Sequence, residues 1–445
     1  MSPQRFEMLV GLYGDERMAA ILSEQELIAS WMRVEGALAT AQAEAGVIAV
    51  ETGAAIAEAA TGAVIDPVRL WRETRNVGYP ILPLVRQLDE ALPEEHRGRV
   101  HYGATTQDIM DSGLALQFDA AGARLGELLA GLGEAVAELA TAHAGLVIAG
   151  RTHALQAVPT TFGAKMAGYL GELTRDRARL AGARRSIATV SLFGAGGTSA
   201  AYGADAVAVR RRVAELLDLR TTDISWHVAR DRVAEFGAVC ALLAATCARF
   251  AREVVDLSRT EIAEVSEAAG HLRGASSTMP QKANPVESEA VIGMSITAGA
   301  LTSALYRVME AGHERAAGEW QAEWQVLPQL VALAAGALAT TRGIAEGLQV
   351  FPEAMRRNLD ADSGLVMSEA YMIRLAPRLG RERAHDVVYA AARRCRESGE
   401  RLGTVLEAML SGQAAEETAE LRPEEYVGNP HTTIDAALSQ WHAPV

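Results

Sequence analysis

Apolar residues recur at three- and four-residue steps along much of the chain. Leu125, Leu128, Leu129, Leu132, Val136 and Leu139 form one such run, the one-sided stripe of an amphipathic helix. Val286 to Met309 reads differently. Its apolar residues Val291, Ile292, Met294, Ile296, Leu301 and Leu305 surround the axis, interleaved with small Gly293, Ala298, Gly299 and Ala300. A helix with so few charges on any side needs cover all round. In a soluble protein that predicts the centre of a bundle, one shared between subunits. The strand–helix alternation that builds a parallel sheet is missing, so the predicted architecture is all-α. Softer breaks fall near Val100 to Gly103 and near Leu348 to Pro352. They divide the chain into an N-terminal helical region 1–103, a central long-helix region 104–348 and a C-terminal helical region 349–445. No repeat or low-complexity tract interrupts this order.

Composition adds to this picture. A chain of 445 residues buries a large core, and 49% hydrophobic residues with only 5% aromatic ones favour close-packed helices. The formal charge of −14 argues against a nucleic-acid or polyanion surface. A local basic pocket for a small anion is compatible with it. Cys240, Cys247 and Cys395 show no Cys-x-x-Cys spacing, and the first two lie in an apolar helical run, which predicts buried free thiols. With no basic-then-apolar leader and no uninterrupted apolar stretch of bilayer length, the expectation is a cytoplasmic protein without a membrane partner.

Three polar clusters stand out against this apolar background. His101-Tyr102-Gly103-Ala104-Thr105-Thr106-Gln107-Asp108 precedes a helix expected to begin around Ile109. Hydroxyls and an acid there serve as helix caps, and a helix N-terminus with Thr donors is equally a carboxylate site. Gly150-Arg151-Thr152-His153-Ala154-Leu155-Gln156-Ala157-Val158-Pro159 places a histidine, the side chain best suited to proton exchange near neutrality, beside a proline-broken segment. Glu289 is an acid able to orient that imidazole, set in an apolar neighbourhood that speaks against a solvated face. The third cluster is Gly274-Ala275-Ser276-Ser277-Thr278-Met279-Pro280-Gln281-Lys282-Ala283-Asn284-Pro285. It gathers hydroxyls, an ammonium and an amide in one glycine-opened, proline-closed loop, an arrangement suited to closing over an anion.

That third run resembles the Gly-Ser-Ser-x-Met-Pro-x-Lys-x-Asn-Pro signature of the fumarase/aspartase superfamily, and the three clusters match its three motif regions in order. The resemblance covers essentially the whole chain. It implies a three-domain helical subunit, a homotetramer built on a central helix bundle, and active sites shared by three subunits. It also implies a small dicarboxylate substrate. Carried over by residue, Ser276 resembles the catalytic base, with His153 and its partner Glu289 also catalytic. Thr105, Thr106, Gln107, Thr152, Ser277, Lys282, Asn284 and Arg315 fall to substrate binding. No metal, nucleotide loop or cofactor motif is evident, and the chemistry implied needs none.

The reaction implied is an anti β-elimination on a substituted succinate, releasing fumarate through an aci-carboxylate dianion. The developing second charge calls for a cation and several donors in a closed, dry site. Tyr13-Gly14-Asp15-Glu16-Arg17-Met18, Trp226-His227-Val228-Ala229-Arg230-Asp231-Arg232 and His313-Glu314-Arg315 resemble the branch holding 3-carboxy-cis,cis-muconate cycloisomerase and adenylosuccinate lyase. Cycloisomerases usually carry Trp where this chain has His153, and often His where it has Gln156. The primary expectation is therefore a carbon–nitrogen lyase, with the lactonising cycloisomerase as the alternative and a non-catalytic member of the fold as a second alternative. Arg230, Arg232, Arg315 and Tyr79 are pocket candidates that serve equally well as structural residues.

Overall fold

Capping side chains open the N-terminal helices. Ser23 accepts from the Glu26 N–H ahead of Glu24–Glu44. Asp66 accepts from Val68 and Arg69 ahead of Pro67–Val77, where Pro67 occupies a first-turn position that has no use for an N–H. That helix stops at Gly78, whose φ of 92° lies in the left-handed region, and the stop delivers Tyr79. The computed structural model describes residues 8–268, 270, 271, 273–411 and 414–444.

Long helices follow: Thr106–Ala142, Phe162–Ile187, Asp231–Leu257, Val286–Val308 and Glu319–Gly347. Helix takes 70% of the described residues, as the all-α reading expects. The Leu125 to Leu139 stripe is buried along its length, and all three cysteines are buried. One boundary differs from expectation. The helix expected near Ile109 starts at Thr106, because the Asp108 carboxylate accepts from the Thr105 N–H and brings the turn into the helix.

Two small antiparallel pairs interrupt the helices: Val147–Thr152 (β1) with Leu155–Thr161 (β2), and Val265–Ser266 (β3) with Gln349–Val350 (β4). The first corrects the reading of residues 150–159 as a proline-broken segment. Pro159 sits in a ladder opposite Ala149, and a register shift at Gly150/Arg151 lets the hairpin absorb it.

The described residues pack into two compact units. The first draws on Met1–Leu129, Asp176–Ala245 and Gly293–Ala339; the second on Ala130–Arg175, Thr246–Ile292 and Thr340–Val445. Trp31, Leu38, Leu70, Ile81, Leu84 and Ile109 centre the core of the first. Leu359, Val366, Tyr371, Leu375 and Leu402 centre one in the second.

Asp231–Leu257 and Val286–Val308 are both long and apolar enough to cross a bilayer, contrary to the expectation that no stretch reaches that length. The first gathers its charges toward its two ends, leaving Phe236 to Ala248 without one, and the second carries only Glu287, Glu289 and Arg307. The first spends its apolarity internally, burying Val233, Phe236, Cys240, Leu243, Phe250 and Val254. The second is covered on one face only. Val291, Met294, Ala298, Leu305 and Val308 are buried, whereas Ile296 is 69% and Tyr306 53% exposed. All-round cover is thus not met within one chain, since a single subunit supplies neighbours for only one side of this helix.

Candidate active site

In the first unit the polar turn before Thr106 is held from below by one carboxylate. Asp108 is fully buried. It accepts from the backbone N–H of Thr105 (3.0 Å), Phe193 (2.8 Å) and Gly194 (2.9 Å), and His227 Nε2 lies 2.9 Å from its Oδ1. Facing a carboxylate, that ring nitrogen carries the hydrogen. Asp108 therefore ties three chain segments together as well as capping a helix. His101 Nδ1 stands 2.7 Å from the buried Glu35. Burial works against charge on the imidazole, but the Glu35 carboxylate outweighs it and the pKa of His101 is raised.

Thr105, Gln107 and Arg315 come together here. Arg315 Nε donates to Gln107 Oε1 at 3.0 Å and its Nη1 to Thr105 Oγ1 at 3.2 Å. Thr106 starts the helix beside them. Gln107 Nε2 donates to Asp111 Oδ2 at 3.1 Å and to the His227 carbonyl at 2.8 Å. Beneath Gln107, Arg230 grips Asp111 at 2.9 and 3.1 Å and Glu323 at 2.9 and 2.6 Å. All three charged side chains are at most 1% exposed. Burial opposes the charge of Arg230, and the two carboxylates more than restore it. Burial also raises the pKa of Glu323, with Arg230 pulling against the rise. Of the open pocket candidates, Arg230 is thus an ion-pair residue. Arg232 lies 5.9 Å from the centre of the Trp226 ring. Tyr79 accepts from Gln321 at 3.1 Å and stacks on Trp320.

In the second unit, β1 and β2 turn through His153 and Ala154, both at positive φ (50° and 67°), which is the type I′ geometry that tight hairpins favour. Thr152 and His153 are exposed at the tip. The base of the hairpin is fastened. Arg151 donates to the buried Glu264 at 2.8 and 2.7 Å, Asn358 donates to Glu264 at 2.8 Å, and Gln156 donates to the Asn358 carbonyl at 2.9 Å.

The signature loop folds on itself. Gly274 has φ +65°, and a Cβ there would stand 2.3 Å from the Asn284 carbonyl oxygen, so the neck of the loop closes only around glycine. Asn284 spends its backbone N–H (2.8 Å) and one side-chain hydrogen (3.1 Å) on the Gly274 carbonyl. The Ser276 N–H donates to the Lys282 carbonyl at 3.3 Å. Two backbone N–H groups, of Thr278 (3.3 Å) and Met279 (3.1 Å), converge on Ser276 Oγ. Donors aimed at a hydroxyl oxygen favour its negative form. Ser277 Oγ is 3.4 Å from Thr278 Oγ1. Lys282 is exposed and forms no ion pair among the described residues. Behind the loop, Glu267 accepts from Ser288 N and Oγ at 2.7 Å each, capping Val286–Val308.

Ser276, Ser277, Lys282 and Asn284 thus share one loop, and Thr152 and His153 one turn. Glu289 is exposed, against the expectation drawn from its apolar neighbours. Successive residues of a helix point in different directions, and Ala290 and Val291 take the buried side. Among the described residues His153 and Glu289 share no hydrogen bond within this chain. Sequence reasoning missed Asp111, Glu323 and Glu264. Asp111 had a signal, one helical turn after Gln107, whereas the other two depend on distant partners. No group of three or more metal-ligating side chains occurs among the described residues.

The family model described as Lyase matches residues 13–298, and that described as Adenylosuccinate lyase C-terminus matches residues 364–437. The 3-carboxy-cis,cis-muconate cycloisomerase of Pseudomonas aeruginosa is 41% identical, over 96% of this chain and 94% of its own. The N-acetyl-S-(2-succino)cysteine lyase of Enterococcus italicus is 33% identical, over 98% of this chain and 96% of its own. The crystal structure of the 3-carboxy-cis,cis-muconate lactonizing enzyme from Pseudomonas putida superposes with a TM-score of 0.90 at 36% identity, covering 98% of this chain and 99% of that one.

Proposed function

This chain belongs to the fumarase/aspartase superfamily and is an enzyme of that group, and from that premise we propose that it is a 3-carboxy-cis,cis-muconate cycloisomerase. The observation that carries this reading is the end-to-end likeness to such enzymes, at 41% identity in sequence and a TM-score of 0.90 in structure. It reverses the order of the two readings weighed from the sequence.

The chemistry unites them. In lactonisation a carboxylate oxygen of the substrate forms a bond to an alkene carbon of the same molecule. The alkene electron pair moves next to another carboxylate, giving an aci-carboxylate, and a proton is then delivered to that carbon. Reversed, this is β-elimination with a tethered carboxylate as the leaving group. Either direction needs donors for the dianion and a proton carrier. In this proposal Ser276 carries the proton, its oxyanion favoured by the Thr278 and Met279 N–H groups. Lys282 and Asn284 face one carboxylate, and Thr105, Thr106 and Arg315 another. His153, paired with Glu289 of a neighbouring subunit, and Thr152 complete the set.

Completing the site requires a homotetramer of three-domain subunits in which each active site draws on three chains. The exposed hairpin tip, the exposed loop lysine and the open face of Val286–Val308 all suit such an assembly. No cofactor enters this scheme, and we place the protein in the cytoplasm.

A second reading has its own support: a lyase releasing fumarate from a substituted succinate by carbon–nitrogen cleavage. His153 occupies the turn position where cycloisomerases usually carry Trp, and a nitrosuccinate lyase, whose name puts the substituent on the succinate through nitrogen, is among the full-length relatives. Ultraviolet absorbance separates the two. Enzyme-dependent loss of the carboxymuconate chromophore supports the cycloisomerase. Loss of the fumarate band with ammonia or an amine, and no change with carboxymuconate, replaces it with the lyase.

A further inference from the structure

Gln107 is wholly buried, and both ends of its amide are engaged. Its nitrogen gives one hydrogen to Asp111 Oδ2 and one to the His227 carbonyl. With both hydrogens spent, the oxygen turns the other way and accepts from Arg315 Nε at 3.0 Å. The two ends of an amide are told apart by which neighbours accept and which donate. Here two acceptors on one side and a guanidinium on the other leave a single orientation.

That orientation is set from deeper in the unit. Arg230 holds Asp111 and Glu323 together, each through two N–H groups, in a group that is at most 1% exposed. A planar fork gripped on both sides has no freedom to swing, so Asp111 presents Oδ2 to Gln107 at a fixed point. At the far end, Arg315 Nη1 donates to Thr105 Oγ1, while Arg315 Nη2 is buried without a partner among the described residues. A guanidinium hydrogen left over in a buried position suits a carboxylate oxygen.

We infer that Gln107 is a positioning residue: it transmits the Glu323–Arg230–Asp111 network to Arg315 and holds that guanidinium with Nη2 left for a substrate carboxylate. This replaces the expectation that Gln107 itself binds substrate. It rests on the reading above that a carboxylate is bound at Thr105 and Arg315.

A double-mutant cycle tests it, with calorimetric binding of fumarate and of tricarballylate, a dicarboxylate and a tricarboxylate, alongside KM and kcat. Arg315→Met should weaken carboxylate binding about 10- to 100-fold, the usual loss for a charge-assisted hydrogen bond. Gln107→Leu should weaken it by about 10-fold, mainly through KM. The double variant should bind within about 2-fold of Arg315→Met alone, because the effect of Gln107 runs through Arg315. Losses that multiply instead give Gln107 its own contact with the ligand and overturn the relay, as does a silent Gln107→Leu. Melting midpoints identify any misfolded variant, and Gln107→Asn, too short to span from Asp111 to Arg315, takes the place of Gln107→Leu if that variant does not fold. A parent that converts neither carboxymuconate nor fumarate plus amine, yet binds tricarballylate with a coupled cycle, refutes the proposed function and supports the relay. A parent that binds neither probe and converts neither substrate overturns both, and in a parent that turns over carboxymuconate the same cycle is read in KM.

Discussion

Arg230→Met isolates the energetics of the buried triad. In the parent, one guanidinium serves two carboxylates, all at most 1% exposed. A methionine fills much of the same space but leaves Asp111 and Glu323 uncompensated. Breaking a buried ion pair from one side costs about 3–5 kcal/mol, because the remaining charge stays in a poor solvent. Unfolding entropy of about 2.1 cal/mol/K per residue over 445 residues gives about 0.9 kcal/mol/K. The expected fall in melting midpoint is therefore about 3–5 °C in a calorimetric scan at pH 7.

The pH dependence sharpens the test. Burial already raises the pKa of Glu323 above its ordinary 4.5, and Arg230 pulls it back. Without Arg230 the folded state holds the Glu323 proton to higher pH than the unfolded state does, so stability falls as pH rises above that value. The deficit of the variant should be smallest near about pH 5 and grow toward about pH 8. Glu323→Gln, which removes one buried negative charge and keeps the shape, should shift the midpoint by no more than about 1 °C. An Arg230→Met variant within about 1 °C of the parent at every pH would show that the triad is not a buried charge cluster.

Four further outcomes are expected. Ser276→Ala should lower kcat by about 10²-fold or more with little change in substrate affinity, and Lys282→Met should lose at least about 10²-fold in kcat without rescue by Lys282→Arg; steady-state kinetics within a few-fold of the parent contradict either role. The parent should scatter light as a tetramer at micromolar concentration, and Ile296→Arg, which puts a charge on the open face of Val286–Val308, should shift it to smaller species; an active monomeric parent refutes the shared-site assembly. The raised pKa of His101 means that its charged pairing with Glu35 contributes fully below the ordinary imidazole value of 6.5 and is lost as pH rises through the raised one, so the melting gap between the parent and His101→Gln should narrow from pH 6 to 9, and a constant gap excludes that pairing.

Helical periodicity, the Leu125 to Leu139 stripe, the signature loop and the hydroxyl-rich turn at Thr105 and Thr106 were legible from the chain alone. Each is written in residues close together in sequence, where spacing maps directly onto a helix face or a loop. The hairpin was not legible. His153 and Ala154 are neither glycine nor asparagine, the residues that announce a type I′ turn, so the anchoring of Arg151 by Glu264 rather than local turn chemistry accompanies that geometry. The exposure of Glu289 also escaped, since a list of neighbours does not say which way a helix faces. Nor could Gln107 be told from its neighbours Thr105 and Thr106 as a residue turned inward. Its partners lie far along the chain, Arg315 and Asp111's own partners Arg230 and Glu323 among them. Sequence determined which polar side chains gather in the three clusters. Tertiary structure decided which of them lie exposed and which are spent on one another, because a buried polar group must be paired wherever the fold brings a partner within reach.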